Sequence, residues 1–154
     1  MKIIVFSDSH GSLREMSDAI EATLPDRIIH LGDFCRDADA IETLFPRIPV
    51  ISVKGNCDYD DVPEQTIEIF GGKRLLLCHG HRYGAKAGYE RLYLAGLQAG
   101  AHAVLFGHTH IPMCVYVDGL YLANPGAMSR SGRQSYAVIE ISNDDMMINI
   151  VKLK

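Results

Sequence analysis

The sequence predicts an α/β fold: a sheet core with covering helices, to which the last third of the chain adds antiparallel strands. Nine apolar runs rich in β-branched residues carry that prediction. Several are continuous rather than alternating, as strands covered on both faces are. The first half alternates such runs with helix-period patterns, and the chain turns strand-rich from about Val104. That succession is expected of an α/β core with an antiparallel extension.

"KIIVFS" is the first strand. Leu13, Met16, Ala19, Ile20, Thr23 and Leu24 then fall on one helical face. Ser12 is placed to N-cap this helix, Glu15 completes a capping box, and Pro25 ends it. "RIIHLG" is the second strand, "DADAIETLF" a shorter second helix, and "IPVISV" the third strand. "TIEIF" and "KRLLLC" are strands, followed by a third helix over residues 86–99. Tyr89, Leu92, Tyr93, Gly96 and Leu97 share one side of it, a core-packing or dimer face. "HAVLFG", "LYLAN", "YAVIEIS" and "MINIVKLK" complete the strands. No internal repeat, linker or low-complexity segment interrupts them.

A chain of 154 residues fits one domain over 1–154, long enough to bury a core without staples. Its net charge is −4 and no Lys/Arg-rich segment is present, which argues against extended binding to nucleic acid or to an anionic membrane. No apolar stretch approaches the ~20 residues of a membrane span. The N-terminus lacks a secretory cleavage site. Cys35, Cys57, Cys78 and Cys114 are scattered without a C-x-x-C pair. They read as reduced thiols, so a cytoplasmic location is expected.

Ligands of open α/β sheets sit beyond the carboxyl ends of the strands. Those ends carry Asp8 and His10, then Asp33, then Asn56, Cys57 and Asp58, then His79 and His81, and finally His108 and His110. Five strand ends thus finish in metal-binding residue types. Imidazole and carboxylate together suit Zn, Mn, Fe, Co or Ni. The set exceeds one ion that must keep an open position for substrate, whereas two ions sharing a carboxylate use it all. Two divalent ions outweigh the charge of Asp8 and Asp33, so the loaded site is cationic and suits a phosphate ester.

These motifs, "DSH", "GD", "GNCD", "HGH" and "GHTH" in this order, resemble the calcineurin-like metallophosphoesterases. The closer likeness is to their small single-domain phosphodiesterase branch in bacteria and archaea. The resemblance runs from Asp8 to "NPGAMS" at 124–129. It implies a four-layer α/β/β/α sandwich with mixed sheets. It implies two divalent ions, with Mn2+ the first choice and Ni2+, Fe2+, Co2+ or Zn2+ as alternatives. By the same resemblance Asp8, His10 and His110 would hold one ion, Asp33 would bridge, and Asn56, His79 and His108 would hold the other. An activated water would attack phosphorus while Asn56 orients the phosphoryl oxygens. "NPG" at 124–126 would be a turn supporting the ligands.

The chain departs from the pattern at Cys57, where many relatives carry a histidine that protonates the leaving group. A thiol is a poor acid beside a cationic metal pair. His81 is the nearest substitute, expected as a catalytic residue with Asp33 and Asn56. Asp58 is expected to support the ligands or cap a turn rather than to be catalytic, and His30 and His102 to be satisfied structural histidines. Arg36 reads as a solvated loop arginine that can reach a substrate phosphate, and Arg82 and Tyr83 as similar cases.

The function expected is metal-dependent hydrolysis of small or nucleotide-like phosphodiesters. The alternatives are a phosphomonoesterase and a non-catalytic scaffold for protein contact, as in a eukaryotic trafficking-coat subunit of this fold. Scaffold versions tend to lose the histidine of D-x-H, and His10 is present here. The expected partner is a small phosphoester, with a homo-oligomer as an open option.

Overall fold

The computed structural model describes residues 1–154. In chain order the elements are β1 (Lys2–Phe6), α1 (Leu13–Thr23), β2 (Arg27–His30), α2 (Cys35–Leu44), β3 (Val50–Ser52), β4 (Gln65–Phe70) and β5 (Lys73–Cys78). A 3-10 turn (His81–Tyr83) leads to α3 (Glu90–Gln98), then β6 (Ala103–Leu105), β7 (Met113–Val117), β8 (Leu120–Asn124), β9 (Ser135–Ser142) and β10 (Asp145–Lys152).

The strands form two mixed sheets, β10-β9-β1-β2-β3 and β4-β5-β6-β8-β7. In the first, β1, β2 and β3 run parallel, β9 runs antiparallel to β1, and β10 runs antiparallel to β9. In the second, β5, β6 and β8 run parallel and β4 and β7 are antiparallel. Strand alternation explains the continuous apolar runs. Ile3 and Val5 of β1 face the other sheet, in a cluster with Leu75, Leu77, Leu105 and Ile139. Ile4 and Phe6 face the opposite way, against Met16 and Ile20 of α1 and Ile41 of α2. Leu76 and Val104 of the second sheet likewise pack on Leu92 of α3. Three apolar layers between four layers of elements make the α/β/β/α sandwich.

Three local expectations need correction. The Ser12 capping box does not form: the Ser12 hydroxyl is buried without a partner, and the Glu15 carboxylate pairs instead with the Arg130 guanidinium at 2.8 and 3.1 Å. The Ser12 N–H is taken by the Ser9 carbonyl, which leaves Glu15 free for the tertiary ion pair. Helix α3 starts at Glu90 rather than near 86, after Gly84 and Gly88, both at positive φ. Leu97 lies on its outer side, 49% exposed. Strand β7, absent from the reading above, pairs only with β8 and leaves Val115, Tyr116 and Val117 exposed. Its signal was Asp118-Gly119, both at positive φ, the two-residue hairpin turn.

Candidate metal centre

The packed sheets bring the ends of β1, β2, β5 and β6 to one edge. His79 crosses from the second sheet to the first, its Nδ1 donating to the Leu31 carbonyl at 2.7 Å. That bond fixes the tautomer and leaves Nε2 as a free donor atom, the arrangement metal-bound histidines use. Nε2 is buried without a hydrogen bond, 3.5 Å from Asp33 Oδ1 and 3.8 Å from Asp8 Oδ1. Asp8 is fully buried. Its Oδ2 accepts from Ser7 Oγ at 2.6 Å and from the His108 N–H at 3.1 Å, whereas Oδ1 has no partner. His110 Nε2 approaches that free oxygen to 3.1 Å.

Donor atoms converge in two groups, Asp8–His10–His110 and Asp8–Asp33–His79, each within 4.8 Å of one another. Asp8 is common to both, while Asp33 belongs to the second only. Buried carboxylate oxygen and imidazole nitrogen without partners fit a divalent cation, because orphaned buried polar atoms are otherwise costly. The titration directions agree. Burial disfavours a charged His79, yet Asp33 and Asp8 outweigh it and raise its pKa. Burial also opposes ionisation of Asp33, but His79 and the Cys57 N–H hold its carboxyl well below the usual range. The pocket favours positive charge.

The local backbone is built for this convergence. Asp8, His10, Asp33, His108 and His110 all have positive φ, between 45 and 67°. Such strain in non-glycine residues persists where surrounding structure imposes it, characteristically at functional sites. Two glycines permit the close approach. A Cβ on Gly55 would lie 2.1 Å from Asp33 Oδ1, and one on Gly107 would lie 1.9 Å from Ser7 Oγ.

The other expected residues surround the cluster. His108 stands beside His79, ring centroids 5.1 Å apart, outside both donor groups. Burial, His79 and Lys86 lower its pKa. His81 lies 5.4 Å from the His79 ring and 6.0 Å from that of His108, with Nδ1 buried and unpaired. Burial, then His79 and Arg82, lower its pKa. Asn56 is exposed at the rim, and its one side-chain hydrogen bond goes to Cys57 Sγ at 3.5 Å. Cys57 is also exposed; its N–H donates to Asp33 Oδ1 at 2.9 Å, and partial burial and Asp33 push its thiol pKa up. All four cysteines are free thiols.

Supporting roles emerge that strand-end reasoning did not find. Asn124 donates through Nδ2 to the Gly107 carbonyl and to Thr109 Oγ1, and its Oδ1 accepts the Gly126 N–H. It therefore fixes the loop bearing His108 and His110 by a side chain, where the turn's backbone was expected to act. Backbone support does exist just beyond, where Ser129 N–H donates to the Asp8 carbonyl. Ser9, His30 and Asp37 form a buried chain beneath His10. His30 Nδ1 accepts the Gly32 N–H, so Nε2–H donates to Ser9 Oγ at 2.9 Å, and Ser9 donates to Asp37 at 2.6 Å. A histidine inside the apolar run "RIIHLG" was the available signal. His102 is satisfied too, its Nδ1 accepting the Arg74 N–H. Arg36 is exposed, 6.0 Å from the Phe34 ring centroid. Arg82 pairs with Glu64 and Tyr83 with Gln65.

Two mixed sheets between helices, with carboxylates and imidazoles converging at their strand ends, define the architecture of a metal-centred α/β/β/α phosphoesterase. Comparison with known proteins agrees. The calcineurin-like phosphoesterase superfamily domain matches residues 1–144, and the chain belongs to that family. It is 34% identical over 152 residues to the probable metallophosphoesterase YsnB of Bacillus subtilis strain 168, covering 94% of this chain and 86% of that protein. It is 26% identical over 155 residues to the phosphodiesterase YfcE of Escherichia coli K12, covering 84% of this chain and 80% of that protein. A crystal structure of a conserved Streptococcus pneumoniae TIGR4 protein, described as a predicted phosphoesterase, superposes with a TM-score of 0.80 at 26% identity, covering 98% and 88% of the two chains. No helix is long and apolar enough to cross a membrane.

Proposed function

We propose that this protein is a metal-dependent phosphodiesterase acting on small or nucleotide-like diesters with two divalent ions. The observation that carries the reading is the pair of orphaned buried atoms, Asp8 Oδ1 and His79 Nε2, facing one another beside Asp33. Asp8, His10 and His110 would hold one ion; Asp33, His79, His108 and Asn56 would serve the other, with Asp8 within reach of both. Ions bound there supply Lewis acidity to a phosphoryl oxygen and lower the pKa of a coordinated water. Mn2+ is the first choice by family resemblance, and the mixed carboxylate and imidazole donors are also compatible with Fe2+, Co2+, Ni2+ and Zn2+.

The chain's own residues do the rest. Asn56, at the open rim, orients the phosphoryl group. His81, two residues past the expected ligand His79, would give the leaving-group oxygen its proton in place of the missing histidine acid. Cys57 stands where an acid would serve poor leaving groups. That supports diesters over monoesters, as does the activity named for YfcE.

The test starts from protein stripped of metal and reloaded with Mn2+. It should hydrolyse a chromogenic aryl phosphodiester faster than the matching monoester, and its Tm should rise on loading. Asp33→Asn should lower kcat at least about 100-fold while keeping the native circular dichroism spectrum. A metal-dependent Tm rise without hydrolysis under any divalent ion would support the scaffold reading instead. Faster monoester turnover would make the protein a phosphomonoesterase. His81 loses its role if His81→Ala leaves kcat unchanged across leaving groups of differing pKa.

A further inference from the structure

A groove of about 320 Å³ opens beside the metal centre, lined by Phe34, Arg36, Cys57, Asp58, Tyr59 and Asp60. It is continuous with the candidate ligands. The Phe34 ring lies 4.8 Å from that of His10, and the Cys57 N–H is bonded to Asp33. Phe34 follows Asp33 directly and holds φ at 78°. A bulky side chain there is a true outlier, and such strain concentrates at ligand-contacting positions. The Arg36 guanidinium lies over the Phe34 ring, 6.0 Å from its centroid. Tyr59 is 97% exposed, a large ring with no packing role in the free protein.

Charge narrows what the groove can take. Asp58 and Asp60 carry two negative charges against the one of Arg36, and Asp58 is committed to backbone N–H groups. A second phosphate would therefore be repelled, whereas an uncharged flat ring can stack on Phe34 or Tyr59 and meet the Arg36 guanidinium edge-on or face-on. A nucleobase adds N–H groups that Asp60 can accept.

We infer that this groove binds an aromatic substituent of the phosphoester, a nucleobase or aryl ring, while the phosphoryl group sits at the metals. The inference rests on the phosphoesterase reading and specifies the substrate class: ring-bearing esters over alkyl esters. Tyr59 is the specificity-determining residue, closing over the ring from its exposed position.

Binding of phenylphosphonate and methylphosphonate to Mn2+-loaded protein, measured by calorimetry, tests this without turnover. The two probes differ only in the ring. Phenylphosphonate should bind about ten-fold more tightly, the scale of one stacking contact. Tyr59→Ser should remove that advantage and leave methylphosphonate unchanged; Tyr59→Trp should retain it. Methylphosphonate binding as tightly as phenylphosphonate, or Tyr59→Ser weakening both alike, overturns the groove assignment and leaves the metal site standing. Failure of both probes to bind the loaded protein overturns the metal-site reading, and the groove assignment with it.

Discussion

Asp58 sits in the loop after β3, yet its carboxylate accepts the N–H groups of Asp33, Phe34, Cys35 and Gly55, each at 2.8 Å. Phe34 is the N-cap residue of α2 and offers no capping side chain. Asp58 supplies that cap from a distance and adds negative charge at the positive end of the helix. Burial alone would raise its pKa, but the N–H groups outweigh this and lower it. Asp58→Ala should therefore cost about 3 kcal/mol, since several donors lose a charged acceptor together. Asp58→Asn, which keeps one carbonyl acceptor, should fall between. Denaturant midpoints measure both, and an alanine variant within ~0.5 kcal/mol of wild type would refute the role. The sequence suggested a supporting role or a turn cap for Asp58. That the capped element is α2 was not legible, because the bonds link residues 23 to 25 positions apart.

At the scale of elements, the strand ends depend on β8. Asn124 closes that strand; its Nδ2 reaches the loop after β6 at Gly107 and Thr109, and its Oδ1 holds the Gly126 turn. Truncation would leave the Gly126 N–H buried and unpaired and the Gly107 carbonyl with only the Thr109 N–H. Asn124→Ala should lower stability by about 2 kcal/mol and weaken Mn2+ binding about ten-fold or more, as loss of a ligand's supporting hydrogen bonds does. Calorimetric titration with Mn2+ reads the second effect, and unchanged affinity would show that the loop holds itself. Helix positions followed from apolar periodicity, and so did the start of α1 at Leu13, but not the starts of α2 and α3. Arg130, 115 residues from Glu15, takes the carboxylate that the capping box would have used, and the glycines after His81 delay α3.

For the whole molecule, stability against acid should follow His30. Burial pushes its pKa down to about 4, against the pull of Asp37 and Asp58, from 6.5 when exposed. Between those values the unfolded chain binds a proton that the folded one refuses. The contribution is thus complete above about 6.5 and is lost as pH falls toward 4, roughly 3 kcal/mol in all. His30→Gln should flatten the stability-versus-pH curve across that window in metal-free protein. An unchanged slope would place the titration elsewhere.

The sequence by itself determined the donor types, their order along the chain and the strands that carry them. Apolar runs and the polar residues ending them are local features, and backbone alternation converts them into buried faces and exposed tips. Only the tertiary structure decided which tips meet. Asp8 and His108 touch although 100 residues apart, because the packing of Ile3 and Val5 on Leu75 and Leu77 fixes one sheet over the other. The same packing made Asp8 the carboxylate common to both donor groups, left Asn56 at the rim, and set Phe34 beside His10 to floor a groove. Such contacts are non-local, so no window of sequence contains them.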